Sequence, residues 1–157
     1  MNTMLNKFRQ NRTHYVVQSL GAAAAVFAAL WVMSMRDAVI IASIGSTAFT
    51  VFAMPTSRTA AARSVVGGQL VGLLSGSLCA VIPHSSFLVS TLVYSLAVGL
   101  SVLVMAVTDT KHPPASGTAL GVAMAGASWN CGLAVIAGVV LLSLLHHFLK
   151  PYLKDLV

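Results

Sequence analysis

Six apolar segments, joined by connections of nine residues or fewer, make up most of this chain: 16–35, 38–54, 64–83, 87–108, 115–130 and 131–149. The chain is 57% hydrophobic and 8% charged, whereas about a quarter of the residues in a soluble domain carry charge. A soluble core of 157 residues could not hide so much apolar surface. We therefore expect an all-α polytopic membrane bundle that forms one domain over residues 1–157, with 1–15 as a cytoplasmic N-terminal segment.

Two of the segments, 38–54 and 115–130, are shorter than the roughly 20 residues that a spanning helix needs. They are either full crossings or re-entrant half-helices. If all six segments cross and the N-terminus is cytoplasmic, only Arg36 among the loop cations lies outside. The cytoplasmic set is then Lys7, Arg9, Arg12, Arg58, Arg63, Lys111, Lys150 and Lys154. The positive-inside rule favours this six-crossing topology in an inner (plasma) membrane, with both termini cytoplasmic and no role in nucleic-acid binding.

The two short segments also resemble each other in sequence. Thr47-Ala48 aligns with Thr118-Ala119 at an offset of 71 residues, and the same offset superposes the half 16–83 on the half 87–149 together with the C-terminal tail. Each half contains three segments, so the second half starts from the opposite side of the membrane. This pattern predicts a 3+3 inverted repeat, in which short helices at matching positions mark the binding site of a transporter.

A polar island at residues 109–114 separates the fourth segment from the fifth. His112 precedes Pro113 and Pro114, so its backbone is extended and the following helix starts at a fixed angle. An ionisable ring held at the start of a membrane helix is a binding-site candidate. At its unperturbed pKa near ~6.5 the ring would favour anion uptake in mildly acid conditions.

The predicted site is a pocket for a small anion between the N-termini of two helices, one starting at 45–47 and the other at 115–118. Their free N–H groups and hydroxyls would supply the donors. No acidic residue lies within a predicted span, which favours an anion over a cation. Helix packing is the better explanation for any one of these Ser, Thr and Gly residues taken alone, and the arginines could serve only as cytoplasmic anchors. The candidate residues are His112, Pro113, Pro114, Ser116, Gly117, Thr118, Gly45, Ser46, Thr47, Arg58 and Arg63.

No cofactor or metal site is expected. Cys79 and Cys131 each stand alone in an apolar run, as small helix-packing residues do. The expected partners are the lipid bilayer, a small inorganic anion and a second copy of the chain in a dimer.

Two blocks of sequence carry a family resemblance. His112-Pro113-Pro114, followed by Ala-Ser-Gly-Thr-Ala-Leu, resembles the motif that names the HPP family of integral membrane proteins. Residues 55–69 resemble a second family block, with Ala62, Ser64 and Gln69 where Pro, Asn and His are usual. The resemblance implies a small multi-pass transporter, often described with four spans rather than six. Plant relatives are associated with nitrite movement across the chloroplast envelope, which makes nitrite the leading substrate.

Two other classes of function stay open from sequence. A membrane-embedded enzyme would use His112 as acid or base, oriented by Asp109, but the chain offers no nucleophile partnered by a base. A non-transporting scaffold subunit is the third class, and no motif points to it. We therefore expect a transporter or channel rather than an enzyme.

Overall fold

The computed structural model describes residues 2–33 and 38–157, with side chains from 8–31 and 39–157. In these residues the fold is all helical, as the composition predicts. The helices are α1 Asn2–Met33, α2 Ala38–Ala53, α3 Ala62–Ala80, α4 Phe87–Val107, α5 Pro114–Ala125 and α6 Trp129–Leu149. Short 3₁₀ turns occupy Arg58–Ala60 and Lys150–Tyr152. Arg36, predicted on the outer side, lies outside the described residues, as does the predicted end of the first segment at 35.

The boundary between α5 and α6 differs from the predicted one. The segments 115–130 and 131–149 run together in hydropathy, yet α5 ends at Ala125 and α6 begins at Trp129. Gly126 breaks the helix with φ of +87°, a conformation that favours glycine. Ser128 then caps α6 by accepting a hydrogen bond from the amide of Cys131 at 3.2 Å. The turn between α5 and α6 is therefore determined by Gly126 and Ser128, which a hydropathy pattern does not distinguish from their neighbours.

The N-terminal segment 2–15 is helical and continuous with the first apolar segment. Asn11 interrupts the helical geometry with φ of −118° and ψ of 17°, so α1 is kinked there. Among the residues that the structure describes, three stretches are long and apolar enough to cross a membrane, namely Phe8–Trp31, Phe87–Val107 and Trp129–Tyr152. At about 1.5 Å per residue, the 12 residues of α5 extend only about 18 Å, against about 30 Å of bilayer core.

Packing places α5 against α2, α3 and α4, and α6 against α1, α2 and α3. Glycines at every fourth position of α3 allow α5 to approach closely. A Cβ atom on Gly72 would stand 2.3 Å from the Ala115 carbonyl oxygen, and one on Gly76 would stand 2.6 Å from that of Ala119. This stripe of small residues brings two backbones into contact, as is common between membrane helices.

The two short helices, α2 and α5, cross in opposite directions. Gly121 packs against Ile40 near the start of α2, and Gly117 packs against Ser43 one turn later. Thr47, a further turn along α2, meets His112, which precedes α5. The contact between these two helices agrees with the prediction that they approach each other.

One end of the bundle gathers the part of α1 around Tyr15 and Gln18, the C-terminal segment 153–157 and two connections, 54–61 and 108–113. The Tyr15 hydroxyl donates to the Leu156 carbonyl at 2.6 Å, and the Gln18 amide donates to the Lys154 carbonyl at 2.9 Å. The Leu156 amide donates to the Ala53 carbonyl at 2.9 Å, so the C-terminal segment covers the end of α2. Arg63, at the start of α3, donates to the Thr108 carbonyl at 3.2 Å.

Candidate functional site

Five polar side chains lie buried where α2, α3 and α5 meet, and we call them the buried polar cluster. Its members are Ser43, Thr47, Gln69, His112 and Thr118. None is more than 4% exposed, although the outer surface of the bundle carries large apolar side chains. Lipid requires an apolar exterior, and the polar side chains that a membrane bundle does contain face its interior.

His112 is fixed by its backbone and by both ring nitrogens. The ring is fully buried, with Nδ1 2.9 Å from the Thr59 carbonyl oxygen and Nε2 3.0 Å from the Thr47 hydroxyl. A carbonyl can only accept, so Nδ1 carries the proton and Nε2 of the neutral ring is an acceptor. His112 lies in the connection before α5, outside the helices. Burial lowers the pKa of this imidazole, and the hydrogen bond to Thr59 offsets only part of that effect.

Gln69 links the two short helices from its place on α3. Its Nε2 donates to the Thr47 hydroxyl at 3.1 Å and, more weakly, to the Ser43 hydroxyl at 3.5 Å. Its Oε1 accepts from the Thr118 hydroxyl at 2.6 Å. One amide therefore holds a hydroxyl of α2 and a hydroxyl of α5.

Ser43 completes the cluster from the α2 side. Its hydroxyl donates to the Pro114 carbonyl at 2.6 Å and lies 2.7 Å from the Thr118 hydroxyl. The Pro114 ring stands at the first position of α5, where a missing N–H leaves no donor unused. The next amides, of Ala115 and Ser116, donate to the carbonyls of His112 and Pro113.

Those contacts correct the predicted arrangement of two helix N-termini with free donors. α2 begins at Ala38, so 45–47 lies in the middle of the helix rather than at its start. At α5 the first available amides already have carbonyl partners. The two helices therefore present side-chain hydroxyls to each other, and not their ends.

Three cations, Arg58, Arg63 and Lys111, lie on or next to the connections 54–61 and 108–113, and we call them the basic rim. Arg58, Arg63 and Lys111 are all exposed at this end of the bundle. Lys111 pairs with Asp109 at 3.2 Å, and that hydrogen bond and charge hold the pKa of the Asp109 carboxyl below its ordinary value. Arg58 and Arg63 lower it further. Three cations and one paired carboxylate give this rim a positive field, which attracts anions.

Comparison with known proteins decides the family. The family described as HPP, transmembrane region, matches residues 7–152. The chain belongs to the HPP family. A transmembrane protein of Dictyostelium discoideum is 33% identical over 85 residues, which cover 52% of this chain and 29% of that protein. The HPP chain thus spans about three tenths of that curated relative, and no solved structure matches it.

The predicted site residues in the HPP motif and the start of α5 differ in what they contact. His112 and Thr118 join the cluster, and Pro114 contributes its carbonyl. Gly117 packs against Ser43. Ser116 faces α4, where its hydroxyl accepts from Ser101 at 3.1 Å, and the Pro113 side chain is exposed.

Of the candidates on α2, only Thr47 reaches the cluster. Ser46 is exposed, and a Cβ atom on Gly45 would meet nothing within 4 Å. Arg58 and Arg63 belong to the rim and do not touch the cluster's side chains in any described contact. The neighbours of Thr47 in sequence are thus not its neighbours in the site.

Two members of the cluster, Ser43 and Gln69, were not among the predicted site residues. A signal for each is present in the sequence. Ser43 lies one helical turn before Thr47 and so shares its face, and Gln69 is the single amide in the described span of α3. An amide in a membrane helix needs buried partners, and the cluster provides them.

The predicted pairing of His112 with Asp109, on which the enzyme alternative depends, is not formed. Asp109 bonds Lys111, and both ring nitrogens of His112 are occupied by Thr59 and Thr47. The imidazole is oriented by a backbone carbonyl instead of a carboxylate.

Proposed function

We propose that this HPP-family protein transports a small monovalent anion, with nitrite as the leading substrate, through the buried polar cluster. The observation that carries the proposal is the burial of five uncharged hydrogen-bonding side chains where two short membrane helices cross. Polar groups are costly inside a bilayer and are retained there for function.

The chemistry of the cluster supports an anion. The hydroxyls of Ser43, Thr47 and Thr118, and the Gln69 amide, can donate hydrogen bonds to an anion's oxygen atoms. Outside the cluster, Arg58, Arg63 and Lys111 raise the local concentration of anions near His112. No acidic side chain belongs to the cluster, which removes the usual ligand of a transported cation.

The proposed transport path follows an inverted repeat. Exchanging α1 with α4, α2 with α5 and α3 with α6 converts every strongly packed helix pair into another strongly packed pair. The same offset relates two caps, because Ser57 accepts from the Ala60 amide and Ser128 from the Cys131 amide, both at 3.2 Å. These relationships support alternating access, in which the cluster opens to one side and then to the other.

The proposal includes an orientation in the inner (plasma) membrane. The part of α1 around Tyr15, the C-terminal segment and the two connections that carry the basic rim share one end of the bundle. The positive-inside rule assigns that end to the cytoplasm. All six helices then alternate in direction across the membrane, although α2 and α5 are short.

The experiment is nitrite uptake into liposomes containing the purified full chain, with protein-free liposomes as the leak control. Thr118→Val keeps the shape of the side chain but removes a donor. We expect it to slow uptake by about tenfold or more, since a hydrogen bond to an ion is worth about 1.5–3 kcal/mol. Thr91→Val is the matched control, because Thr91 is exposed and its hydroxyl bonds the Phe87 carbonyl of its own helix. Equal uptake by both variants would remove the cluster from the path.

A further inference from the structure

Successive turns of α3 and α5 rise together from the buried polar cluster. Gly72 packs against Ala115 and Gly76 against Ala119, so a step of four residues on one helix matches a step of four on the other. α3 begins beside the basic rim and extends 19 residues, about 28 Å, away from it. Both helices therefore lead from the cluster to the end of the bundle opposite the rim, which is the outer end in the proposed orientation.

A groove of about 360 Å³ opens at that end, between α3, the last turn of α5 and the start of α6. Ser77 lies on its α3 wall, and Ser128 and Trp129 line it where α6 begins. The two α6 residues are exposed and Ser77 is half-buried, so the groove is open to the surroundings of the bundle.

The groove lies at the depth of the apolar layer. Val93 of α4 and Ala123 of α5 belong to one buried apolar cluster, so they lie at a similar level. α4 begins six residues before Val93, about 9 Å further out, and its first residues, Phe87 and Leu88, are exposed and apolar. Lipid that contacts this end of α4 therefore surrounds the α5–α6 connection as well.

The backbone of that connection requires water. Residues 126–128 are non-helical and mostly exposed. The Ser128 hydroxyl and carbonyl accept from the amides of Cys131 and Gly132, and the α6 amides before these two need partners from outside the helix. At membrane depth, exposed irregular backbone is tolerated where it lines a water-filled cavity. That requirement favours water over acyl chains in the groove.

Leu73 and Val122 are the lining residues of the groove that lie next to the cluster. Leu73 follows Gln69 by four residues and Val122 follows Thr118 by four, a rise of about 6 Å. Gln69 and Thr118 are themselves joined by a hydrogen bond of 2.6 Å. Both apolar side chains belong to one core cluster, and neither is more than 9% exposed. Two apolar side chains thus separate the groove from the buried polar cluster.

The opposite side of the cluster is closed by hydrogen bonds. The His112 ring donates to the Thr59 carbonyl at 2.9 Å, and the Leu156 amide donates to the Ala53 carbonyl at 2.9 Å. Opening towards the rim would break such bonds, whereas opening towards the groove would move apolar side chains.

We infer that the groove is the outer entrance through which a small hydrated anion reaches the buried polar cluster, and that Leu73 and Val122 form its gate. This inference rests on the proposed function and names the access route of its site. An apolar constriction suits a gate because it excludes water and ions until it widens. The groove has room for a small anion with part of its hydration shell, since a water molecule occupies about 30 Å³ in the liquid.

The first test measures whether water reaches the groove. Ser77→Cys, in a variant that lacks Cys79 and Cys131, is treated with a charged, impermeant thiosulfonate in intact cells and again after the membrane is opened. Leu96→Cys is the matched control, because Leu96 is exposed on α4 at a similar depth. We expect position 77 to react at least about tenfold faster from outside, since the reacting thiolate requires water.

The treated protein is then purified and assayed for nitrite uptake in liposomes. We expect modification at position 77 to block uptake and the Leu96→Cys protein to keep it. A thiol at position 77 that reacts only in opened cells, that never reacts, or whose modification leaves uptake unchanged would overturn the outer entrance. Absence of uptake by the untreated parent, with position 77 still reactive, would instead refute the proposed function.

The second test measures the gate without requiring transport. Ser43→Cys, in the same variant, places a thiol behind Leu73 and Val122 with little change in size. We expect Leu73→Ala and Val122→Ala each to speed its modification from outside about tenfold, which corresponds to gate opening that is about 1.4 kcal/mol easier. Leu78→Ala is the control, because Leu78 is exposed on α3 and does not line the groove. A rate that neither gate substitution raises above this control would overturn the gate.

Discussion

Ser43 and Pro114 are joined by a hydrogen bond of 2.6 Å from the Ser43 hydroxyl to the Pro114 carbonyl. They lie 71 residues apart, the offset at which the two halves of the sequence align. Two positions that correspond in the proposed repeat therefore contact each other where α2 and α5 cross. A pseudo-two-fold axis through an inverted repeat would pass through such a contact, which makes this pair a natural centre for the transport path.

Replacing Gln69 with leucine should both destabilise the fold and stop transport. Gln69→Leu keeps the volume but leaves the Thr47 and Thr118 hydroxyls without their amide partner. We expect the free energy of unfolding to fall by about 1–3 kcal/mol, the usual cost of a buried polar group that loses its partner. Unfolding in detergent by denaturant would measure it, with Thr91→Val as a control of little effect. Wild-type stability in Gln69→Leu would mean that the amide does not hold the two helices together.

The contact between α3 and α5 should not tolerate a methyl group. In Gly72→Ala the new Cβ would stand 2.3 Å from the Ala115 carbonyl oxygen, so the helices must separate. Overpacking of this kind costs about 1–3 kcal/mol, and here it also shifts the start of α5. Gly99→Ala is the matched control, since a Cβ there meets nothing within 4 Å. Thermal unfolding of both variants would show the difference, and equal midpoints would contradict the close packing.

Stability should fall in acid because of His112. Burial lowers the pKa of this ring in the folded protein, so the unfolded chain, with a value of about 6.5, binds the proton more tightly. The contribution of the neutral ring is complete above about pH 6.5 and is lost as the pH falls below it. His112→Gln should flatten the dependence of the unfolding midpoint on pH in anion-free detergent. His147→Gln, which changes an exposed ring, should not, and an unchanged slope in His112→Gln would assign the effect elsewhere.

The orientation can be tested with single cysteines in a variant that lacks Cys79 and Cys131. Thr110→Cys places a thiol in the rim connection, and Ser85→Cys places one in the exposed connection between α3 and α4. An impermeant reagent added to intact cells should label position 85 and leave position 110 unlabelled until the membrane is opened. Labelling at position 110 from outside would contradict the six-crossing topology.

Much of the helical layout could be predicted from sequence because apolar length and charge report it directly. α2 and α4 end within one residue of their predicted ends, while α5 ends early. That error arises from Gly126, whose positive φ breaks a stretch of uniformly apolar residues. Helix length follows composition, but a turn depends on the conformation of one residue.

The site could be predicted only in part. The two prolines that follow His112 fix its backbone, so the sequence indicates that this residue matters. Its complete burial depends on how α2 and α3 pack against it, which the sequence does not show. Gly45 and Ser46 were grouped with Thr47 by proximity in sequence. Successive residues of a helix are rotated by about 100° around its axis, so Gly45 and Ser46 face away from α5. Ser43 lies four residues before Thr47 and therefore faces α5 as Thr47 does. The inverted repeat and nitrite transport stay predictions.

The hydrogen bonds that close the end of α2 impose an order on biosynthesis. The Gln18 amide and the Lys154 carbonyl are separated by 136 residues, and the Leu156 amide meets Ala53. During translation α1 and α2 are made before the C-terminal segment to which they bond. The ribosome has to finish α6 before the C-terminal segment can fold back. Assembly of the bundle is therefore completed after α6 has been made. Removal of residues 154–157 would leave the Ala53 carbonyl, at the end of α2, without its hydrogen bond from the Leu156 amide.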